Sequence, residues 1–152
     1  MSRISDHSPI DVFLLVSEHV KENRKSLRYV KGFKNAGIEG WFKVEAIAAL
    51  QDYVKEVRNK SPDLIVQVHE DRMEITLIAT TDFDPFNIKL RTLQHKTLCL
   101  FLGDGSQKEK IEELLSDKEI VFVKHETFRD NGNKWIIGII KPSEEYLFHH
   151  QG

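Results

Sequence analysis

Residues 97–102, with the sequence TLCLFL, form an apolar run that ends at Gly103-Asp104-Gly105. Successive side chains of a strand point to opposite faces of its sheet, so a strand of this composition is buried on both faces. Such a strand needs a layer of packing elements on each side. The run therefore predicts a three-layer α/β domain with a central sheet flanked by helices.

The other segments supply the expected layers. Ser8-Pro9-Ile10-Asp11 is typical of a helix start, with Ser8 as the cap, and a second helix is expected from about residue 39 to 58. We expect the hairpins to pair antiparallel and the crossover 103–119 to give a parallel pair, which makes the sheet mixed. The remaining predictions are strands at 64–68, 73–79, 97–102, 120–124 and 135–140, helices at 88–95 and 107–115, and a fraying tail.

Length and composition predict one domain over residues 1–152, with a helical part at 8–58, a sheet-rich part at 62–142 and a flexible tail at 143–152. No apolar run approaches the roughly 20 residues of a membrane helix. The single cysteine, Cys99, favours a reducing cytoplasmic location. A net charge of −2 argues against indiscriminate coating of nucleic acid but allows a local basic face.

Two carboxylates accompany the predicted hairpin of residues 61–79. Asp63 follows Pro62 just before the first strand, and Glu74 lies near the start of the second. Two acids that converge at a sheet end can hold Mg²⁺, which stabilises charge on a phosphodiester and lowers the pKa of an attacking water. The alternative is an ordinary hairpin, because Asp after Pro is common turn chemistry and an exposed acid needs no function.

The second helix carries two further candidate acids. Glu45 lies in the apolar stretch VEAIAAL, where small alanines leave room for a site beside it. The alternative is that Glu45 belongs to a solvated helix edge. Glu39 competes for the same role, although an acid at a helix start is also explained by its favourable interaction with the helix dipole.

Across residues 31–125 these features resemble the PD-(D/E)XK, or restriction-endonuclease-like, superfamily, with a layout similar to archaeal Holliday-junction resolvases. The resemblance implies a mixed sheet flanked by helices, Mg²⁺-dependent phosphodiester hydrolysis, duplex or branched DNA as partner, and a homodimer. It also implies Asp63 and Glu74 as metal ligands, with an acid of the helix, Glu45 or alternatively Glu39, as a third catalytic acid. The matching features are Lys31-Gly32, the acid-bearing helix, Val57-Arg58, Ser61-Pro62-Asp63, Glu74-x-Thr76 and TLCLFLG.

Position 76 departs from the superfamily pattern, which has a lysine two residues after the second acid. Thr76 carries no positive charge, and its hydroxyl is too weak an acid or base to replace an amine. A lysine from another element could reach the site, and Lys89 and Lys43 are the candidates. Otherwise the site is degenerate, and the domain is a non-catalytic interaction or assembly module.

A basic stripe is expected along the end of the first helix. Its cations follow helical spacing and would attract a phosphate backbone in a salt-dependent manner. The alternative is a solvated helix end, where cations complement the dipole. The seven histidines show no metal-ligand spacing beyond the tail pair His149-His150. The predicted nucleic-acid-binding residues are Lys21, Arg24, Lys25, Arg28, Lys31 and Lys34.

Overall fold

The computed structural model describes residues 7–30 and 35–149, except for the side chains of Asn35, Ala36 and His95. No helix in these ranges is long and apolar enough to cross a bilayer. The strands of the described part are β1 (Val54–Val57), β2 (Leu64–Val68), β3 (Asp71–Ala79), β4 (Leu98–Asp104), β5 (Ile120–Asp130) and β6 (Asn133–Pro142). Its α-helices are α1 (His7–Glu22), α2 (Leu27–Val30), α3 (Asn35–Ala49), α4 (Pro85–His95), α5 (Lys108–Leu115) and α6 (Glu144–His149).

The six strands form one mixed sheet in the order β1-β2-β3-β4-β6-β5. The α/β class and the mixed sheet are thus confirmed. The predicted position of the parallel pair is wrong, because β3 and β4 are the parallel neighbours and the connection between them passes through α4. The 103–119 crossover instead leads to β5, which is separated from β4 by the antiparallel strand β6.

Strand β4 is buried on both faces, as its composition predicts. Leu100 belongs to a core cluster with residues of α1 and α3, whereas Phe101 belongs to a second cluster with Ile88 of α4 and Leu114 of α5. All four residues are at most 2% exposed. Helices therefore cover the sheet on both faces.

The helices on the first face present apolar residues at helical spacing. Helix α1 buries Val12, Phe13, Val16 and Val20, and α3 buries Ile38, Phe42 and Ala46. Residues three or four positions apart lie on one helix face, so each helix has a single apolar stripe toward the sheet. This stripe fixes which polar residues of α3 flank the core.

The second helix is shorter than predicted. Helix α3 ends at Ala49, and residues 54–57, which were expected to continue it, form the edge strand β1. Val54 pairs with Val66 and Val57 with Leu64 of β2. Backbone pairing with an existing strand outweighs the modest helix propensity of this segment.

Other boundaries also differ from the sequence prediction. Helix α1 begins at His7, so Ser8 lies inside it, and the Ser8 hydroxyl donates to Asp71 Oδ2 at 2.6 Å rather than capping the helix. Strand β5 extends to Asp130, because the hairpin turn consists of Asn131 and Gly132 with φ of 50° and 84°. The segment expected to fray contains α6.

Substitution of Gly105, just after β4, tests how closely the chain approaches β6 there, and substitution of Gly40 on α3 is the control. A Cβ at Gly105 would lie 2.7 Å from the backbone carbonyl carbon of Trp135, whereas a Cβ at Gly40, on the exposed side of α3, would meet nothing within 4 Å. We expect Gly105→Ala to lower the free energy of unfolding by about 1–3 kcal/mol. Gly40→Ala should raise it by about 0.5–1 kcal/mol, because alanine favours helix.

Urea unfolding of both variants and the wild type checks this prediction. Equal unfolding midpoints for Gly105→Ala and the wild type would contradict the close approach of residue 105 to β6.

Candidate functional site

Asp63 lies where β2 stops pairing with β3. The Asp63 backbone N–H donates to the Ile75 carbonyl at 2.9 Å, and Asp63 Oδ2 accepts from the Leu77 N–H at 2.7 Å. The side chain thus takes the place of the backbone acceptor that a longer β2 would have offered to Leu77. The Asp63 carboxylate therefore has a structural role at the edge of β3, independent of any catalytic or metal-binding role.

Arg91 of α4 satisfies the other polar group of Leu77. Its Nη2 donates to the Leu77 carbonyl at 3.4 Å, and its Nη1 donates to Glu39 Oε1 at 3.3 Å. Burial raises the pKa of the Glu39 carboxyl, and the negative charge of Asp63 acts in the same direction, while Arg91 and Lys43 oppose them. Glu39 is therefore a partly desolvated acid within electrostatic reach of Asp63.

Lys43 completes the group. Its Nζ lies 3.4 Å from Asp63 Oδ1, and it also donates to the Arg58 carbonyl. Glu39 and Lys43 are four residues apart on α3, so both project from the same side of the helix. Glu39, Lys43, Asp63 and Arg91 are called the β3 edge network below. The network thus contains two acidic residues and two basic residues.

Glu74 does not belong to the β3 edge network. Its side chain is 44% exposed, and its Oε1 lies 3.8 Å from Arg72 Nη1. Glu74 also lies on the face of β3 opposite Ile75 and Leu77, because side chains alternate along a strand. Within residues 7–30 and 35–149, no group of three potential ligands near metal-binding distance includes Asp63 or Glu74. Among the described residues, no hydrogen bond or ion pair links Glu74 to Asp63 or to a partner of Asp63.

Glu45 occupies the opposite flank of α3 from Glu39. Its Oε2 lies 2.7 Å from His19 Nε2 of α1, and its side chain is 17% exposed. The buried stripe of Ile38, Phe42 and Ala46 separates the two flanks. Of the two candidate helix acids, Glu39 is the one that the structure brings to Asp63.

Of the two candidate lysines, the structure brings Lys43 to Asp63. Lys89 instead lies 2.6 Å from Asp117 Oδ2 and 2.8 Å from Glu119 Oε1, next to the start of β5. Hydrogen bonds to these carboxylates raise the pKa of the Lys89 amine. Lys89 is thus held by other acids in this structure.

Thr76 is buried on the face of β3 that packs against α4. Its exposure is 0%, and its hydroxyl lies 2.7 Å from Ser61 Oγ and 3.2 Å from Thr97 Oγ1. The hydroxyls of the buried Thr76 and Thr97 and of the partly buried Ser61 form a chain, which satisfies hydrogen bonds that an aliphatic side chain would leave unmade. The threonine therefore fits its position for reasons of packing.

The predicted basic stripe is partly engaged with β5. Lys21 lies 2.8 Å from Glu126, and Arg28 lies 3.0 Å from Asp130. Arg24 and Lys25 are exposed, although Arg24 also donates to the Lys21 carbonyl. Lys31 and Lys34 lie outside the described residues. Two of the four described cations, one on α1 and one on α2, thus pair with acids of β5.

Sequence reasoning missed Arg91 and a cluster of His7, Asp11 and His69. Arg91 reaches Leu77 from the following helix, and no motif links these two positions. The four-residue spacing of His7 and Asp11 places them on one helix face and could have been noticed. His69 lies on the β2–β3 turn, and only the fold brings it to Asp11, at 2.6 Å.

The environment of Thr76 predicts that a lysine at this position destabilises the domain. Thr76→Lys would bury an unpaired charge, and we expect a loss of about 3–5 kcal/mol in the free energy of unfolding. Thr76→Val keeps the shape but loses the hydroxyl contacts, and should cost about 1 kcal/mol.

The measurement is urea unfolding, with Glu74→Lys as the control, since it places a lysine on the same strand at an exposed position. Wild-type stability in Thr76→Lys would show that residue 76 is accessible.

No family model, curated protein or solved structure gives a significant match to the chain.

Proposed function

We propose that the chain is a nuclease-like domain of the restriction-endonuclease-like type whose Mg²⁺ position is degenerate, and that it acts as a non-catalytic binding module. The β3 edge network is the observation that carries this proposal. Asp63 comes from the pre-strand position that the resemblance assigns to a metal ligand, and Glu39 comes from the helix that it assigns to a third catalytic acid. The six-stranded mixed sheet with helices on both faces is compatible with the same superfamily.

The charges of the network disfavour Mg²⁺. Lys43 and Arg91 neutralise Asp63 and Glu39, so a dication would meet no net negative charge there. Both oxygens of Asp63 already have partners, the Leu77 N–H and the Lys43 amine. Mg²⁺ loses its water reluctantly and needs strongly attractive oxygen ligands. The geometry therefore favours a closed ion-pair network over a metal site.

A second candidate function is Mg²⁺-dependent hydrolysis with a relocated lysine. The distance of 3.4 Å between Lys43 Nζ and Asp63 Oδ1 favours it, because an amine beside the metal-binding acid can orient the attacking water. Glu39 and Asp63 would hold the ion, which would lower the pKa of that water. Lys43 would have to release Asp63 for this chemistry.

Metal titration and DNA cleavage distinguish the two candidates. For the wild type we expect no saturable Mg²⁺ binding by calorimetry, and no cleavage of duplex or four-way branched DNA with Mg²⁺ or Mn²⁺. Cleavage that disappears in both Asp63→Asn and Lys43→Ala would overturn the proposal and establish the second candidate. Asp117→Asn is the matched control, because it removes an acid paired to a lysine outside the network.

We propose DNA, duplex or branched, as the partner of the binding module. Arg24 and Lys25 are exposed in the turn after α1, and neither forms an ion pair within 4.0 Å in the described part of the chain. The segment that follows contains Lys31 and Lys34. The resemblance also implies a homodimer, which light scattering on the full chain would detect.

The DNA partner predicts a salt-dependent affinity that depends on these cations. Fluorescence anisotropy with labelled duplex and four-way DNA should show weaker binding by Arg24→Ala/Lys25→Ala. The slope of log affinity against log salt should fall by about 2, one for each lost phosphate contact. Lys108→Ala/Lys118→Ala, on and just after α5, is the control with equal charge loss. Equal weakening by both double variants would contradict a specific role for Arg24 and Lys25.

A further inference from the structure

A cluster of two imidazoles and one carboxylate joins the start of α1 to the turn between β2 and β3. Asp11 Oδ2 lies 3.4 Å from His7 Nε2 and 2.6 Å from His69 Nε2. The two rings stack with centroids 5.1 Å apart at an interplanar angle of 22°. One carboxylate oxygen thus lies close to a nitrogen of each ring.

We propose that His7, Asp11 and His69 form a binding site for a transition-metal dication of the zinc class. One ligand atom from each residue lies within 4.8 Å of the other two. Imidazole nitrogen and carboxylate oxygen are ordinary zinc ligands, and three protein ligands leave a fourth position for water. The nitrogen ligands favour such an ion over Mg²⁺, which prefers oxygen.

The distances from Asp11 Oδ2 to the two ring nitrogens can be compared with those in a site that holds zinc. Ligand atoms around tetrahedral zinc are separated by about 3.3 Å, given metal–ligand bonds of about 2.0–2.2 Å. The His7–Asp11 distance of 3.4 Å already has this value, whereas the His69–Asp11 distance of 2.6 Å is that of a hydrogen bond. The His7 and His69 side chains are 74% and 53% exposed, so both rings can rotate by the small amount required.

The site links two elements that are distant in sequence. His7 and Asp11 are one turn apart on α1, and His69 sits at φ 58° in the hairpin turn. The Ser8 hydroxyl donates to Asp71 on the same hairpin, so the contact is already positioned without an ion. The negative charge of Asp11 offsets the unfavourable interaction of a cation with a helix N-terminus. A bound ion would therefore fasten the start of α1 to the hairpin.

Zinc titration of the full chain, prepared without a histidine tag and first treated with a chelator, tests the site. Calorimetry should give one Zn²⁺ per chain, and Zn²⁺ should raise Tm because it binds the folded state. We expect at least about tenfold weaker binding in His7→Ala, Asp11→Asn and His69→Asn. Asparagine is chosen at position 69 because it tolerates positive φ. Co²⁺ should show the visible absorption of a nitrogen- and oxygen-ligated ion, lost in the same variants.

The control is His149→Ala, which removes an exposed histidine from the tail and should leave Zn²⁺ binding unchanged. Each variant is compared with the wild type in chelator, where equal Tm values show that the fold is intact. Absence of one-to-one binding would overturn the proposal, as would full affinity in His7→Ala and His69→Asn. Loss of binding in His149→Ala alone would place the ion at the tail and overturn it too.

Discussion

The burial of β4 on both faces is the constraint on which the rest of the structure depends. Leu98, Leu100 and Leu102 face one core cluster, and Cys99 and Phe101 face the other, so neither face can be left to water. Burial raises the pKa of the Cys99 thiol to about 12, which keeps it a neutral core residue. Helices α1 and α3 on one side and α4 and α5 on the other supply the two layers that this strand requires.

The unequal lengths of β2 and β3 create the second constraint. Strand β3 continues past the end of β2, and the N–H and carbonyl of Leu77 would lack partners at a buried edge. An unsatisfied buried backbone group costs about 1–3 kcal/mol. Asp63 and Arg91 supply the missing partners, and their charges are balanced by Lys43 and Glu39. Completion of the sheet edge thus accounts for the charged residues that also suggest a nuclease.

The β3 edge network and the cluster of His7, Asp11 and His69 differ in chemistry and accessibility. Asp63 and Lys43 are 14% and 23% exposed and are neutralised within the β3 edge network. His7 and His69 are largely exposed and share one carboxylate, and no Lys or Arg pairs with that carboxylate among the described ion pairs. Exposed imidazole nitrogens that can reorient are suitable ligands for an ion of the zinc class. Carboxylates that already pair with lysine and arginine are poor ligands for Mg²⁺.

The sequence by itself determined the α/β class and the double burial of 97–102, because these follow from local periodicity and apolar composition. It predicted a mixed sheet but placed the parallel pair wrongly, because strand order depends on packing between distant segments. It also drew attention to Asp63, to Glu39 as one of two helix acids, and to Lys43 as one of two lysines. Only the tertiary structure decided between Glu39 and Glu45 and between Lys43 and Lys89. These choices depend on which side of α3 or α4 faces Asp63, just before the start of β2. Packing between segments that are distant in sequence decides this orientation. The same packing brings His69 to Asp11, and no local sequence pattern predicts it.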